Sequence, residues 1–346
     1  MATTLKDIAQ KSGISVSIVS RVLNKKGAKY RISKETEKLV LKTARELNYR
    51  PNQLARGLRL RKTHTIGLVA PDISNPFFAL IIKTAEGVAH LLGYTLVVCD
   101  SDENSQLEVE HVGLLQAKGV YGLVVLPIGK KHAHLDAAIA AGMPLVTADR
   151  SFPDLRASSV VIDNYAGARE AVEHLVDHGH SRNAIIQGLR ETITSRERLR
   201  GYLDVLAKYN IPVDDGLMVG NDIRRENGYV ETTLLLRSSH PPTAIFTTSD
   251  LITLGALQAI SEQGLEVPRD ISIVAFDDVE SAEFFRCPIT AVSQPRESIG
   301  EVAVKLLTDH IRDQRGSHEV KSIVLKPTLI IRESVASIQT AESRAG

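Results

Sequence analysis

Apolar residues recur at helical spacing over the first fifty positions, then give way to short continuous runs set between helical stretches. Leu5, Ile8 and Ala9 stand at i, i+3 and i+4 and predict one face of a helix ending near Lys11 or Ser12. Thr4 and Asp7 fit a capping box at its start, a hydroxyl with an acidic acceptor three residues on. Gly13 permits a tight turn, and Ile14 can plug it from inside. Ser15 can cap a second helix with the apolar face Ile18, Val19, Val22 and Leu23, which leaves Val16, Ser17 and Arg21 pointing outward. Ser33 opens a third helix, Lys34 to Asn48, that turns Leu39, Val40, Thr43, Ala44 and Leu47 inward. Pro51 ends it, and Asn52 caps a short helix over 53–58 that has few apolar contacts and contains Gly57. Alone, so short a helix is marginal.

From Thr65 the period changes. Strands are predicted at 66–70, 94–100, 122–127, 144–149, 160–163, 184–188, 244–250, 271–278, 290–294 and 321–334. Helices of ten to seventeen residues separate most of them. Short apolar strands alternating with helices predict α/β architecture with doubly wound parallel sheets, and this many strands predicts two sheets. Ligands of such sheets bind at the carboxyl ends of the strands, and a cleft between two subdomains is a natural small-molecule site. The Ala/Ser-rich tail after Glu333 has no leucine heptad and reads as disordered.

Charge divides the chain in the same place. Residues 1–64 hold 16 Lys or Arg against 4 Asp or Glu, a net of +12. The whole chain is +1, so residues 65–346 carry 26 against 37, or −11. A basic arm on an acidic body suits a polyanionic partner, since phosphate contacts release condensed counterions. Arg50, Arg56, Arg59, Arg61 and Lys62 suggest a segment that folds on phosphate. A membrane-surface patch is disfavoured because the charges interleave with a packed helical pattern. At 346 residues and 43% hydrophobic, the chain can bury a sizeable core. Cys99 and Cys287 are too few and too far apart for a disulfide framework or metal spacing. No signal peptide or membrane-length apolar run is read, so a cytoplasmic protein is expected.

Two short helices around a Gly turn are common in all-α bundles; read as a helix-turn-helix, they would place the start of the second helix against base edges in a major groove. Arg21 can then make a bidentate contact to guanine O6 and N7. Enzyme readings find little: there is no GxGxxG, Walker loop or GxSxG elbow, so no catalytic residue, cofactor or metal is assigned. His174, His178 and His180 read as a helix C-terminus, where His is favoured, in preference to a metal pair.

The run TLKDIAQKSGISVSIVSRVLN, the segment YRPNQLARGL and the stretch IGLVAPDISNPFF together resemble the LacI family of bacterial transcriptional regulators. The likeness continues through GLVVLP, VVIDN, SRERLRGY, PPTAIFTTSDLITLGAL, VPRDISIVAFDD and AVSQPRESIG, and covers residues 3–335. It implies a helix-turn-helix headpiece at 1–49, a hinge helix at 50–64, a two-subdomain periplasmic-binding-protein-like core at 65–335, and a disordered tail at 336–346. It further implies a homodimer on pseudo-palindromic operator DNA, most often a repressor, whose DNA affinity is set by a small effector.

By the same resemblance, Val16, Ser17 and Arg21 match base-reading positions, and Thr4, Ser15, Ser20 and Asn24 positions near phosphate. Asn52, Ala55 and Leu58 match hinge positions, Leu58 being the minor-groove wedge. Phe77, Phe78, Asp149, Thr192, Thr194, Arg198, Ser249, Asp277 and Gln294 match effector positions, with Arg198 and Asp277 foremost. Two departures stand out. The loop Lys25–Ile32 is longer than in the best-known members. Ile223 occupies a place where many members carry a pocket aromatic, so a sugar ring would stack on Phe77 or Phe78. A sugar or sugar derivative leads as effector, with a nucleobase or nucleoside as the alternative. A cytoplasmic binding protein without DNA function would leave the basic arm unexplained.

Overall fold

The computed structural model describes residues 3–24, 26–49, 64–129, 131–279, 281–313 and 319–338. It divides into two units, 1–63 and 64–346.

The first unit contains α1 (Leu5–Ser12), α2 (Val16–Leu23) and α3 (Lys34–Glu46). The capping box forms: Thr4 N–H donates to Asp7 Oδ2 at 2.7 Å and Asp7 N–H to Thr4 Oγ1 at 3.4 Å. Gly13 takes φ +69° with open space around it, which makes it the turn between α1 and α2. Ser15 and Ser33 accept from Ile18 and Thr36 N–H at 3.4 and 3.2 Å. Ile8, Val19, Val22, Val40 and Ala44 form the buried centre, with Ile14 packed against it. Two expectations fail. Leu39 is 44% exposed and not inward-facing. The third helix stops at Glu46 because Asn48 turns left-handed (φ 47°), so that Tyr49 N–H bonds Ala44 O and Asn48 N–H bonds Arg45 O.

Among the described residues, the second unit is built on two six-stranded sheets. Sheet one orders β11 (Ser322–Leu325), β5 (Ser158–Ile162), β4 (Leu145–Asp149), β3 (Leu123–Val125), β1 (Thr65–Ala70) and β2 (Thr95–Asp100), all parallel. Sheet two orders β12 (Thr328–Ile330), β10 (Thr290–Ser293), β9 (Ser272–Phe276), β8 (Ala244–Thr247), β6 (Asn183–Ile186) and β7 (Met218–Val219), with only β12 antiparallel. Apolar clusters lie on both faces of each sheet, which is why the strands read as continuous apolar runs. Sheet one packs α4 (Pro76–Leu91) and α11 (Arg296–Arg312) on one face, and α5 (Ser105–Ala117) and α6 (Ala133–Ala140) on the other. Sheet two is covered by α7 (Asn164–Asp177), α8 (Ile193–Lys208), α9 (Arg225–Leu236) and α10 (Asp250–Glu262). Helices α9 and α10 touch through a reciprocal glycine pair: a Cβ on Gly255 would lie 2.0 Å from Arg225 O, and one on Gly228 2.1 Å from Ile252 O.

The chain passes between the sheets three times: from β5 into α7, from β10 into α11, and from β11 into β12. The apolar run at 321–334 is therefore two strands in different sheets, split at Pro327, and the two-residue β7 has no counterpart among the predicted strands. The tail differs from expectation at 334–338, and residues 339–346 fall outside the described residues. Ser334 is fully buried, Ala336 N–H donates to Ser272 Oγ at 3.0 Å, and Ile338 N–H to His178 O at 2.8 Å. Residues 336–338 are thus held against sheet two instead of hanging free.

Candidate nucleic-acid interface and small-molecule cleft

On the first unit, α2 exposes Val16, Ser17 and Arg21 because Ile18, Val19 and Val22 commit its other side to the core. Ser15 Oγ lies 3.1 Å from Ser17 Oγ while capping the helix. Asn24 Nδ2 donates to Ser20 O at 2.6 Å and closes the other end. Val16, Ser17, Ser20, Arg21 and Asn24 share one groove of about 530 Å³ with Leu5, Lys26 and Tyr30. The Arg21 guanidinium lies 4.0 Å from the centre of the Tyr30 ring. Thr4 stays exposed at the start of α1. Asn52, Ala55 and Leu58 fall outside the described residues.

In the second unit, Phe77, Phe78, Asp149, Thr192, Thr194, Arg198, Ile223, Ser249, Asp277 and Gln294 all line one narrow cavity of about 50 Å³ between the two sheets. The fold explains the convergence. Asp149 ends β4, Asp277 follows β9, and Thr248 follows β8, so polar groups gather at carboxyl ends of strands. Asn75, Thr192 and Ser249 cap α4, α8 and α10, so three helix N-termini also meet here. Phe77 and Phe78 belong to the core of sheet one and line the cavity as well, packed edge to face with centres 5.1 Å apart.

Arg198 rises from α8 and is nearly fully buried. Its Nε donates to Asn164 Oδ1 at 2.8 Å, its Nη1 to Thr248 O at 2.5 Å, and its guanidinium lies 3.7 Å from the centre of the Phe276 ring. Asp277 Oδ2 is 4.0 Å from Arg198 Nη1, and Asp277 Oδ1 accepts from Gln294 Nε2. The other amide atom, Gln294 Oε1, is buried with no hydrogen-bond partner among the described residues. Asp149 and Asp277 both adopt left-handed backbone, φ 62° and 75°, which aspartate tolerates better than most residues.

Burial dominates the electrostatics. It pushes the Asp149 carboxyl up to about 6 against the pull of Arg150 and Arg198. Asp250 is likewise raised to about 6 by burial, with the Asp277 charge adding to it. Burial also raises Asp277 and lowers Arg198. Both members of the Arg198–Asp277 pair thus move toward their neutral forms. At 4.0 Å their attraction does not offset the loss of water.

Several lining residues were not singled out from the sequence, among them Asn75, Arg150, Ser195, Thr248 and Asp250. Two had a readable signal: Arg150 and Asp250 directly follow Asp149 and Ser249 at strand ends. Arg150 makes a fork to Glu103, 2.9 and 3.1 Å, and joins the inner cavity to an outer one of about 420 Å³ that also touches Phe152, Thr192, Arg190 and Arg196. His178 Nδ1 is spent on His174 O at 2.8 Å, as a helix end requires. Among the described residues no helix is long and apolar enough to cross a membrane.

Residues 4–52 match the family described as bacterial regulatory proteins, lacI family, and residues 172–335 match the periplasmic binding protein-like domain. The chain is 33% identical over 336 residues to the ribose operon repressor of Haemophilus influenzae, covering 97% of this chain and 99% of that one. It is 34% identical to the HTH-type transcriptional repressor PurR of Pasteurella multocida, over 96% of this chain and 99% of the relative. The lac repressor dimer bound to operator and the anti-inducer ONPF superposes with a TM-score of 0.85 at 27% identity, over 97% of this chain and all of that one.

Proposed function

Because the chain belongs to the LacI family of bacterial regulatory proteins, DNA-binding transcriptional repressors with an effector-binding core, we propose that it represses transcription from a pseudo-palindromic operator as a homodimer under control of a small polyhydroxylated effector. Val16, Ser17 and Arg21 read bases. Thr4, Ser15, Ser20 and Asn24 meet phosphates, and Asn52, Ala55 and Leu58 serve the hinge. The observation that carries the effector half is the cavity itself: ten residues scattered from Phe77 to Gln294 line one space between two sheets. Its carboxylates and the Arg198 guanidinium suit hydroxyl groups, which both donate and accept.

The cavity is narrow, and entry of an effector is read as parting the sheets, which then close on it. The groups that would hold the ligand are tied to the segments on which such motion turns: Arg198 through Asn164 at the first crossing, Asp277 through Gln294 at the second. Effector and operator are then coupled, and linkage makes each change the affinity for the other by the same factor. A nucleobase effector is the second reading, favoured by the PurR relative of equal similarity and by facing carboxylate and amide groups that suit ring nitrogens.

The test is a thermal-shift screen of the full chain against sugars, sugar derivatives, nucleosides and nucleobases, followed by operator binding with each hit. A ligand at about 100 times its Kd should add roughly 2.7 kcal/mol to the native state. A hit that also changes operator affinity supports the reading. A wild-type chain with no salt-sensitive preference for any palindromic DNA overturns it.

A further inference from the structure

We propose that Tyr30 is a specificity-determining residue, the part of the longer loop after α2 that holds Arg21 in its base-reading orientation. The proposal rests on the reading of α2 as the base-reading helix. Arg21 is exposed near the end of α2 and its guanidinium lies 4.0 Å from the centre of the Tyr30 ring. A contact to the ring engages no oxygen acceptor, so it leaves the N–H donors of the guanidinium for a bidentate contact to guanine. An ion pair would have consumed them instead.

The position of the ring follows from the loop's own bonds. Lys26 N–H donates to Arg21 O at 2.9 Å, which continues the chain directly from the end of α2. Tyr30 and Ile32 N–H both donate to Gly27 O at 3.1 Å. Ile32 packs against the core, and Arg31 turns left-handed (φ 52°) between the two. Tyr30 itself is 44% exposed and takes no part in that core. It lines the same groove as Val16, Ser17, Ser20 and Arg21. A large aromatic kept on the surface, with its face against an arginine that would read bases, has a recognition role to play more readily than a packing one. A free arginine carries many rotamers, and holding it on a ring narrows them before DNA arrives.

The experiment is binding-site selection from a random duplex library with the full-length wild type, Tyr30→Phe, Tyr30→Leu and Arg21→Ala. The expected result is that Tyr30→Leu weakens base preference about two- to fivefold at the half-site position where Arg21→Ala abolishes it. Other positions keep their preference, and Tyr30→Phe behaves as wild type. The salt dependence of binding should not change with Tyr30→Leu, since no phosphate contact is lost. Four results overturn the proposal: an unchanged selected motif for Tyr30→Leu, a uniform loss across all positions, tighter binding with unchanged preference (the mark of a contact that masks Arg21), or an Arg21→Ala motif equal to wild type. The last would also remove Arg21 from base reading while leaving the regulator reading intact. Failure of the wild type to enrich any sequence would overturn both.

Discussion

Arg198 and Asp277 face each other at 4.0 Å on the wall of the cleft, and each is tethered to a different crossing between the sheets, Arg198 by Asn164 and Asp277 by Gln294. Neither closes the pair. Asp277→Asn removes a charge that burial disfavours but leaves the buried Arg198 guanidinium with less compensation, so the ligand-free protein should lose stability, by up to about 3 kcal/mol. Effector affinity should fall roughly tenfold to a hundredfold, the range for a lost charge-assisted hydrogen bond. Titration calorimetry with the effector identified by screening checks this. Full binding by the variant would take Asp277 out of the site.

Asp149 makes stability depend on pH. Its carboxyl is raised from an ordinary 3.8 to about 6, so between these values the native state holds a proton that the unfolded chain has released. Its contribution is greatest below about pH 4, falls as pH climbs toward 6, and is flat above. The penalty at pH 8 is on the order of 3 kcal/mol. Urea denaturation of Asp149→Asn and wild type should give a stability difference that grows in the variant's favour from pH 4 to 6 and then levels off. Parallel curves at every pH would refute the assignment.

Ser334 Oγ accepts from Thr290 N–H at 2.8 Å and donates to Ile273 O at 2.6 Å, all buried. Ser334→Ala orphans a donor and an acceptor and should cost about 1–3 kcal/mol in chemical denaturation. A chain truncated after Glu333 should lose at least as much. If truncation were neutral, the tail would be packing without consequence.

Gly255→Ala drives a methyl into Arg225 O and Tyr229 N, backbone atoms that yield only if α9 shifts. The expected cost is on the order of 3 kcal/mol. Calorimetry should show it in the unfolding of the second unit, with binding to DNA surviving where the fold survives.

What was legible in the sequence was local or collinear. Thr4 with Asp7, Ser15 and Ser33 announce their helices because a cap is read within four residues. The central strands of both sheets declare themselves through burial on two faces, while the two-residue β7 does not. The ten cleft residues were legible only through family resemblance, since nothing in the spacing of Phe77, Asp149 and Gln294 brings them together. The remainder depended on partners distant in sequence. No periodicity says that Ser334 will find Ile273 and Thr290, or that Leu325 and Thr328 will join different sheets. Leu39 looked inward by spacing alone, and Asn48 looked helical until its left-handed turn ended α3.

The three crossings carry a consequence for synthesis on the ribosome. Sheet one begins at Thr65, yet its edge strand β11 comes only at 322–325, after the whole of sheet two has been made. Helix α11, whose Gly300 fits against Ile81 O of α4, is equally late. A nascent chain that has emerged as far as Ser293 holds five strands of sheet one with an open edge at β5 and an uncovered apolar face over α4. Such a surface is prone to mispairing. Completion of the first subdomain therefore waits on the last fifty residues, and neither subdomain exists as a contiguous stretch that a truncation could isolate.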